Sequence, residues 1–267
     1  MPELPEVESA RTVIERGGLK RRIVDVDDSD SWVCRPHPPG EIRSALLGRQ
    51  LTGTHRRGKS MWCETGDGGP VLGIHLGMSG KIVIATPDGT ELDGGDYWDR
   101  GRATGDHRYT RFALSFADGG GLLLVDPRRL GRVRLDPPVD LLGPDAASIT
   151  RGQFRIAFST SAAPVKARLL DQHAIAGVGN LLADQILWQS KTYPGRPVRD
   201  LTEPEVDRLQ RATRSAVAAA IAGGGVHTLK IMTFRTPGGV CPRDGVPMVH
   251  ATIGGRTTYW CPRDQSA

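Results

Sequence analysis

Asp136-Pro137-Pro138-Val139-Asp140-Leu141-Leu142-Gly143-Pro144 separates two textures of sequence. Its prolines can neither continue a helix nor donate to a central sheet ladder, so the stretch reads as a linker. Upstream, from about residue 20 to 135, short β-branched runs alternate with Gly, Asp and Pro. Arg22–Val26, Leu51–His55, Val71–His75, Lys81–Ala85, Thr110–Phe116 and Leu122–Val125 are such runs. Their spacing predicts a β-sandwich or barrel. Residues 86–108 are rich in Gly, Asp and Arg and read as one long exposed loop.

Downstream of the linker the period becomes helical. Residues 165–173 and 181–190 are two helical runs around Gly177-Val178-Gly179-Asn180. Thr202-Glu203-Pro204-Glu205 is a capping box with proline in the first turn, opening a helix that Gly223-Gly224-Gly225 stops. The last 40 residues return to strand-like runs and carry Cys-Pro-Arg-Asp twice, at 241–244 and 261–264. At the other end, residues 6–16 place Val7, Ala10, Val13 and Ile14 on one helical face. The expected class is α+β, two-lobed. A β-sandwich with a leading helix spans 2–138, a helical domain 145–225 and a small β-hairpin 226–267.

The chain has 267 residues, long enough for one large domain or two ordinary ones, and at 38% hydrophobic and 24% charged it can form a packed core. That excludes a disulfide mini-protein and wholesale disorder. No run approaches the ~18 apolar residues of a membrane span. The acidic, proline-rich start is unlike a secretory leader, so a cytoplasmic protein is expected. A net charge of +5 and a pI of about 9.2 point mildly to nucleic acid. Most of the positive charge is arginine, which suits bidentate phosphate contacts. It clusters at Arg56, Arg57 and Lys59, at Arg128, Arg129 and Arg132, and at Arg243, Arg256 and Arg263. Cys34 and Cys63 lie in mixed apolar segments and read as buried spectators.

Three features could carry chemistry. A penultimate proline usually permits removal of the initiator Met, which would leave Pro2 as a secondary amine able to form an iminium with an aldehyde-like carbon. Glu3 and Glu6 beside it could move protons. Read alone, the segment is more simply a helix lead-in. The Gly177–Asn180 turn could let a helix N-terminus meet an anion such as DNA phosphate, with Lys166 adding charge; an ordinary glycine-capped turn is the plainer reading. The tail has Asp244 and Asp264 where two Cys-x-x-Cys knuckles would have their second cysteines. A Cys2Asp2 zinc site would be unusual, and a metal-free hairpin ranks slightly above it.

Taken in chain order, the motifs carry more than any one of them. They are PELPEVE at 2–8, RRGK at 56–59, HLGMSG at 75–80, DPRRLG at 126–131, GVGN at 177–180 and GGRTTYWCP at 254–262. Together they resemble the formamidopyrimidine-DNA glycosylase/endonuclease VIII family, from end to end. The resemblance implies a β-sandwich, a helix-two-turn-helix (H2TH) domain and a zinc-finger-like hairpin. It implies a monomeric cytoplasmic, nucleoid-associated repair enzyme acting on damaged double-stranded DNA. In that likeness Pro2 is the nucleophile, Glu3 the acid/base, Glu6 a supporting acid and Lys59 the lysine near the lesion phosphate. Lys166 and Asn180 match H2TH phosphate contacts and Arg256 the finger arginine. Met78, Arg128 and Leu130 match the residues that fill the gap left by a flipped base. No cofactor serves catalysis; structural zinc at Cys241, Asp244, Cys261 and Asp264 stays open.

This chain departs from the family at three places. Leu130 stands where phenylalanine is common, two ligand positions are Asp, and the segment between Gly225 and Cys241 is short. The short segment leans toward oxidised pyrimidines or abasic sites, while the PELPEVE start is formamidopyrimidine-like. The alternatives are a non-catalytic damaged-DNA-binding paralogue and, last, an RNA-binding H2TH protein.

Overall fold

A computed structural model describes residues 2–96 and 107–266. The chain divides into two compact units. Met1–Pro2 and Glu6–Val139 make up the first; Glu3–Pro5 and Asp140–Ala267 make up the second.

The first unit is a sandwich of antiparallel sheets. Helix α1 (Leu4–Gly17) leads into β1 (Ile23–Asp27), α2 (Glu41–Leu46), β2 (Leu51–Arg57), β3 (Ser60–Thr65) and β4 (Leu72–His75). Then come β5 (Lys81–Ala85), β6 (Glu91–Gly95), β7 (Thr110–Phe116), β8 (Gly121–Val125) and β9 (Arg132–Leu135). One sheet has the order β1-β7-β8-β5-β6, the other β2-β3-β4-β9. Strict alternation drives the packing. Met61 and Cys63 on β3, and Phe112 and Leu114 on β7, are buried while their neighbours face outward. Val7, Ala10, Val13 and Ile14 of α1 join this core. Cys34 and Cys63 are free and buried, and burial pushes both thiols up to about 12, as inert spectators should be.

The expected loop over 86–108 is only partly a loop. Glu91–Gly95 pairs along the whole of β5 as β6, and residues 97–106 lie outside the described residues. The sequence Glu-Leu-Asp-Gly-Gly has poor strand propensity. The glycines are there for space: a Cβ on Gly94 would lie 2.6 Å from the Ser9 carbonyl of α1.

The second unit holds α3 (Arg151–Ala157), α4 (Val165–Leu170), α5 (Asn180–Ser190), α6 (Glu203–Ala222) and a hairpin of β10 (Val249–Ile253) and β11 (Arg256–Trp260). Helix α4 stops short of the expected 173, because the Asp171 carboxylate takes the His173 N–H and turns the chain. The capping box at α6 forms, with the Glu205 carboxylate accepting from the Thr202 N–H at 2.8 Å. Burial works against the Glu205 charge. The Thr202 donors and Arg196 outweigh it and bring the pKa to about 2. Part of the expected strand texture after 228 is a 3-10 turn, Lys230–Thr233, fixed by the Ile231 N–H on the Gln185 amide oxygen at 2.9 Å.

Helix α5 runs through the centre of this core and is buried almost all round. Leu4, from the start of the chain, lies fully buried in the same core, and its N–H donates to the Gly177 carbonyl at 3.2 Å. Leu4→Ala is therefore expected to cost about 2–5 kcal/mol, read by chemical denaturation. A change within ~0.5 kcal/mol, the scale of an exposed substitution, would show that this anchor is not structural.

Candidate active site and nucleic-acid interface

The fully buried Glu3 carboxylate accepts three backbone N–H groups at the start of α5. They come from Gly179 at 3.0 Å, Leu181 at 2.8 Å and Leu182 at 3.1 Å. An uncapped helix start presents such donors and a partial positive charge. The turn glycine is needed for close approach rather than for its dihedral angles. A Cβ on Gly179 would fall 2.3 Å from the Glu3 carboxyl carbon, while its φ of −115° suits any residue. These helix N–H groups thus meet an anion, as the glycine turn suggested, but the anion is the chain's own Glu3 and not a phosphate.

Pro2 precedes Glu3 directly and is buried. Glu6 lies in the first turn of α1, only 3% exposed. Lys59 sits in the tight turn between β2 and β3, where Gly58 has a φ of +60°. Arg56 ties that turn down, donating to the Gly58 carbonyl at 3.0 Å and to Glu8 of α1 at 2.8 Å. Lys59 also acts on His75: atoms crowding the ring, then the Lys59 and Arg134 charges, hold the His75 pKa below its usual range.

Met78, Arg128 and Leu130 are exposed on two loops of the first unit that one carboxylate binds together. Asp126 is fully buried. It accepts from Ser79 Oγ at 2.5 Å and from the backbone N–H groups of Arg128, Leu130 and Gly131 at 3.1, 2.8 and 2.7 Å. Gly77 presses on the Leu130 carbonyl carbon, which a Cβ would approach to 2.4 Å. Met78 and Leu130 therefore stand on adjoining turns, 38% and 41% exposed. The sequence motif contained Asp126 but gave it no role.

In the second unit another buried carboxylate, Asp184, organises the hairpin. It receives Lys166 Nζ at 2.6 Å, Arg235 Nε at 2.7 Å and the Tyr259 N–H at 3.3 Å. The Thr257 carbonyl accepts from Lys166, Arg235 and the Asn180 side-chain amide at 3.2, 2.9 and 3.2 Å. Lys166 is fully buried; desolvation lowers its pKa, with Asp184 opposing that effect. Its ammonium faces the hairpin and not solvent, unlike the point charge expected from sequence. Arg256 is exposed, just after the Gly254-Gly255 turn. Asn180 Oδ1 is buried without a partner. Asp184 and Arg235 escaped the sequence reading, although a lone carboxylate in an otherwise apolar helix was a usable signal.

At the hairpin's far end, Cys241, Asp244 and Cys261 bring ligand atoms within 4.8 Å of one another. Asp264 does not join them: its carboxylate is taken by Lys191 at 3.2 Å and Arg243 at 2.9 Å. The Cys261 thiol donates to Asp244 at 3.0 Å. Desolvation, reinforced by Asp244, pushes that thiol up to about 11, so it is protonated at neutral pH. Trp188 Nε1 donates to Cys241 Sγ at 3.4 Å, and the Arg243 guanidinium lies 3.8 Å from the Trp188 ring centroid.

Removing Asp184 strands the buried Lys166 ammonium and the part-buried Arg235 guanidinium. Asp184→Ala is expected to cost about 3–5 kcal/mol, measured by denaturant unfolding. Asp184→Ala with Lys166→Met should recover part of that loss. A single-variant loss below ~1 kcal/mol would remove the carboxylate from its organising role.

The family pattern of the formamidopyrimidine-DNA glycosylase N-terminal domain matches residues 1–133, and that of the formamidopyrimidine-DNA glycosylase H2TH domain matches residues 142–230. Formamidopyrimidine-DNA glycosylase of Nocardioides sp. is 32% identical, the match covering 100% of this chain and 95% of that protein. The Thermus thermophilus protein of the same name is 34% identical, covering 99% and 98%. Lactococcus lactis Fpg bound to DNA containing an oxidised pyrimidine superposes with a TM-score of 0.83 at 27% identity, over 100% of both chains. Its complex with abasic-site DNA gives 0.82 at 26%, covering 99% of this chain and 100% of that one. These matches span the β-sandwich, the helices and the hairpin, and the chain belongs to the formamidopyrimidine-DNA glycosylase family.

Proposed function

We propose that the chain is a bifunctional DNA glycosylase/AP lyase of base excision repair, acting on damaged double-stranded DNA in the cytoplasm as a monomer. The observation that carries the reading is the fixed Glu3 carboxylate beside Pro2. A secondary amine at Pro2 attacks C1′ of the damaged nucleotide. The C1′–base bond breaks, the base leaves with a proton, and opening of the sugar ring gives an iminium. Loss of a C2′ proton then expels the 3′ phosphate, and a further elimination releases the 5′ phosphate. Glu3 is the proton carrier at the sugar. Its three N–H tethers hold it in one orientation, so its charge is already aligned with the cation that forms at C1′. Glu6 supports the amine, and Lys59 takes a phosphate near the lesion.

Base chemistry in a duplex requires the nucleotide to be flipped out. Met78, Arg128 and Leu130 fill the gap, presented by the two loops that Asp126 locks. Leucine wedges a base step through shape and apolar contact, without the stacking an aromatic ring would add. Asn180 and Arg256 contact phosphate. Lys166 acts indirectly, by fixing the Thr257 carbonyl next to Arg256. The compact turns between Gly225 and Cys241 leave little chain to cover a bulky purine, which favours oxidised pyrimidines and abasic sites.

Pro2→Gly and Glu3→Gln should each abolish excision and borohydride-trapped adduct on a lesion panel, with duplex binding retained. Full turnover in both variants would refute the mechanism; no adduct from the wild-type protein lacking Met1 would point to a non-catalytic lesion binder.

We read the hairpin as metal-free. Its donor set fits zinc poorly, since only Cys241, Asp244 and Cys261 bring ligand atoms together while the Asp264 carboxylate is held by two cations. Chelator should leave the unfolding midpoint unchanged, and zinc content should stay well below one atom per chain. Stoichiometric metal that survives chelator washing would overturn this.

A further inference from the structure

The outer face of the four-stranded sheet carries a feature that the catalytic reading does not use. Register places Arg57, Ser60, His75 and Arg132 in one cross-strand row, and His55, Trp62, Gly73 and Arg134 in the next. Side chains in such rows share a face. The second row carries no side chain at Gly73, and the Pro137 ring lies over that position, where a Cβ would come within 2.6 Å of it. The result is a hollow of about 320 Å³, lined among others by Ser60, His75, Arg132, Arg134 and Pro137, with Leu130 on its rim.

The polar side chains lining this hollow are donors. Arg132 Nη1 is held by the Trp32 carbonyl at 2.8 Å, which orients the guanidinium and leaves its charge uncancelled. Among the described residues neither Arg132 nor Arg134 makes an ion pair with a carboxylate. His75 Nδ1 accepts the Gly77 N–H at 3.0 Å, so a neutral ring carries its proton on Nε2 and offers a donor there. Glu64, further along the same face, is bonded to His55 at 2.8 Å. A concave site with two arginines, a hydroxyl and an imidazole N–H, and no carboxylate in its lining, is built for an oxyanion. Its volume lies at the small end of ligand pockets, ample for a phosphate with its adjoining sugar.

We propose that this hollow seats a backbone phosphate of the DNA, in addition to the contacts assigned to Lys59, Asn180 and Arg256. The proposal rests on the reading of the chain as a DNA enzyme. Continuity favours DNA over a free anion: Leu130 forms the rim, and the same loop presents Arg128 and Arg129 to solvent. A strand wedged open at Leu130 passes the hollow at once.

The test uses the full-length protein, with anisotropy titrations on undamaged duplex and on duplex holding a stable abasic analogue, over a range of salt. Arg132→Ala/Arg134→Ala should weaken binding to both duplexes about tenfold at 0.15 M salt. It should also flatten the plot of log K against log salt by about one unit, the counterions of one phosphate. Arg132→Lys/Arg134→Lys should keep most of the slope, which separates charge from packing. An unchanged slope in the alanine variant with normal excision overturns the seat and leaves the enzyme reading intact. A flattened slope in a protein that excises nothing sinks the enzyme reading and leaves the seat standing. Inorganic phosphate and a deoxynucleoside monophosphate provide the last arm, titrated by NMR. Binding of either that is lost in the alanine variant, with the duplex slope unmoved, makes the hollow a small-anion site and overturns the proposal.

Discussion

Three backbone N–H groups on one carboxylate govern the start of this chain. Glu3 sits where the first turn of α5 would otherwise leave donors unsatisfied. Burying a carboxylate is expensive unless every lone pair finds a donor. Here the helix start supplies the donors, and Gly179 supplies the room. The same bonds that make the charge tolerable also fix its direction. Residues 3–5 are thereby part of the second unit while residue 2 and residues from 6 onward belong to the first. Pro2 and Glu3, adjacent in sequence, thus fall in different units, with Leu4 as the apolar anchor of the second.

The device recurs. Asp126 and Asp184 are also fully buried carboxylates whose oxygens face backbone or cationic donors. Each lies beneath exposed residues for which we propose DNA contacts: Arg128 and Leu130 over Asp126, Arg256 beside the carbonyl that Asp184's partners hold. The logic is one of preorganisation. Loops that meet a charged polymer need their cations and wedges already in place, because ordering them on binding would cost affinity. Buried carboxylates order such loops without placing negative charge on the surface that must attract phosphate.

Periodicity made the coarse architecture legible. The proline-rich break, the β-branched runs before it and the capping box after it each carry their cause in local sequence. What escaped reading depended on distant partners. Strand β6 is invisible as Glu-Leu-Asp-Gly-Gly because Gly94 answers to the backbone of α1, more than eighty residues away, and Gly95 to that of Gly80 and Lys81. Lys166 reads as a phosphate ligand when only its charge is visible; its burial depends on Asp184 and on a carbonyl 91 residues away. Asp264 reads as a metal position until Lys191 and Arg243 are seen to hold it. Motif order pointed to the family, whereas the roles of individual polar residues waited on three-dimensional partners.

The hairpin explains how ligand positions can drift without loss of the arm that carries Arg256. Its attachment lies at the Arg256–Tyr259 end, where Asp184, Lys166, Arg235 and Asn180 converge on β11. Asp184 and Lys166 at its centre are fully buried, so solvent and salt screen that pair little. The thiol end is held separately, by Trp188 on Cys241, by Cys261 on Asp244 and by the Lys191–Asp264–Arg243 chain. The exposed ion pairs there contribute little each. A metal at that end would close the hairpin's base, but the orientation of Arg256 is set at the opposite end. A hairpin with carboxylates at two of its four candidate ligand positions therefore keeps the anchor of the Arg256 turn in place.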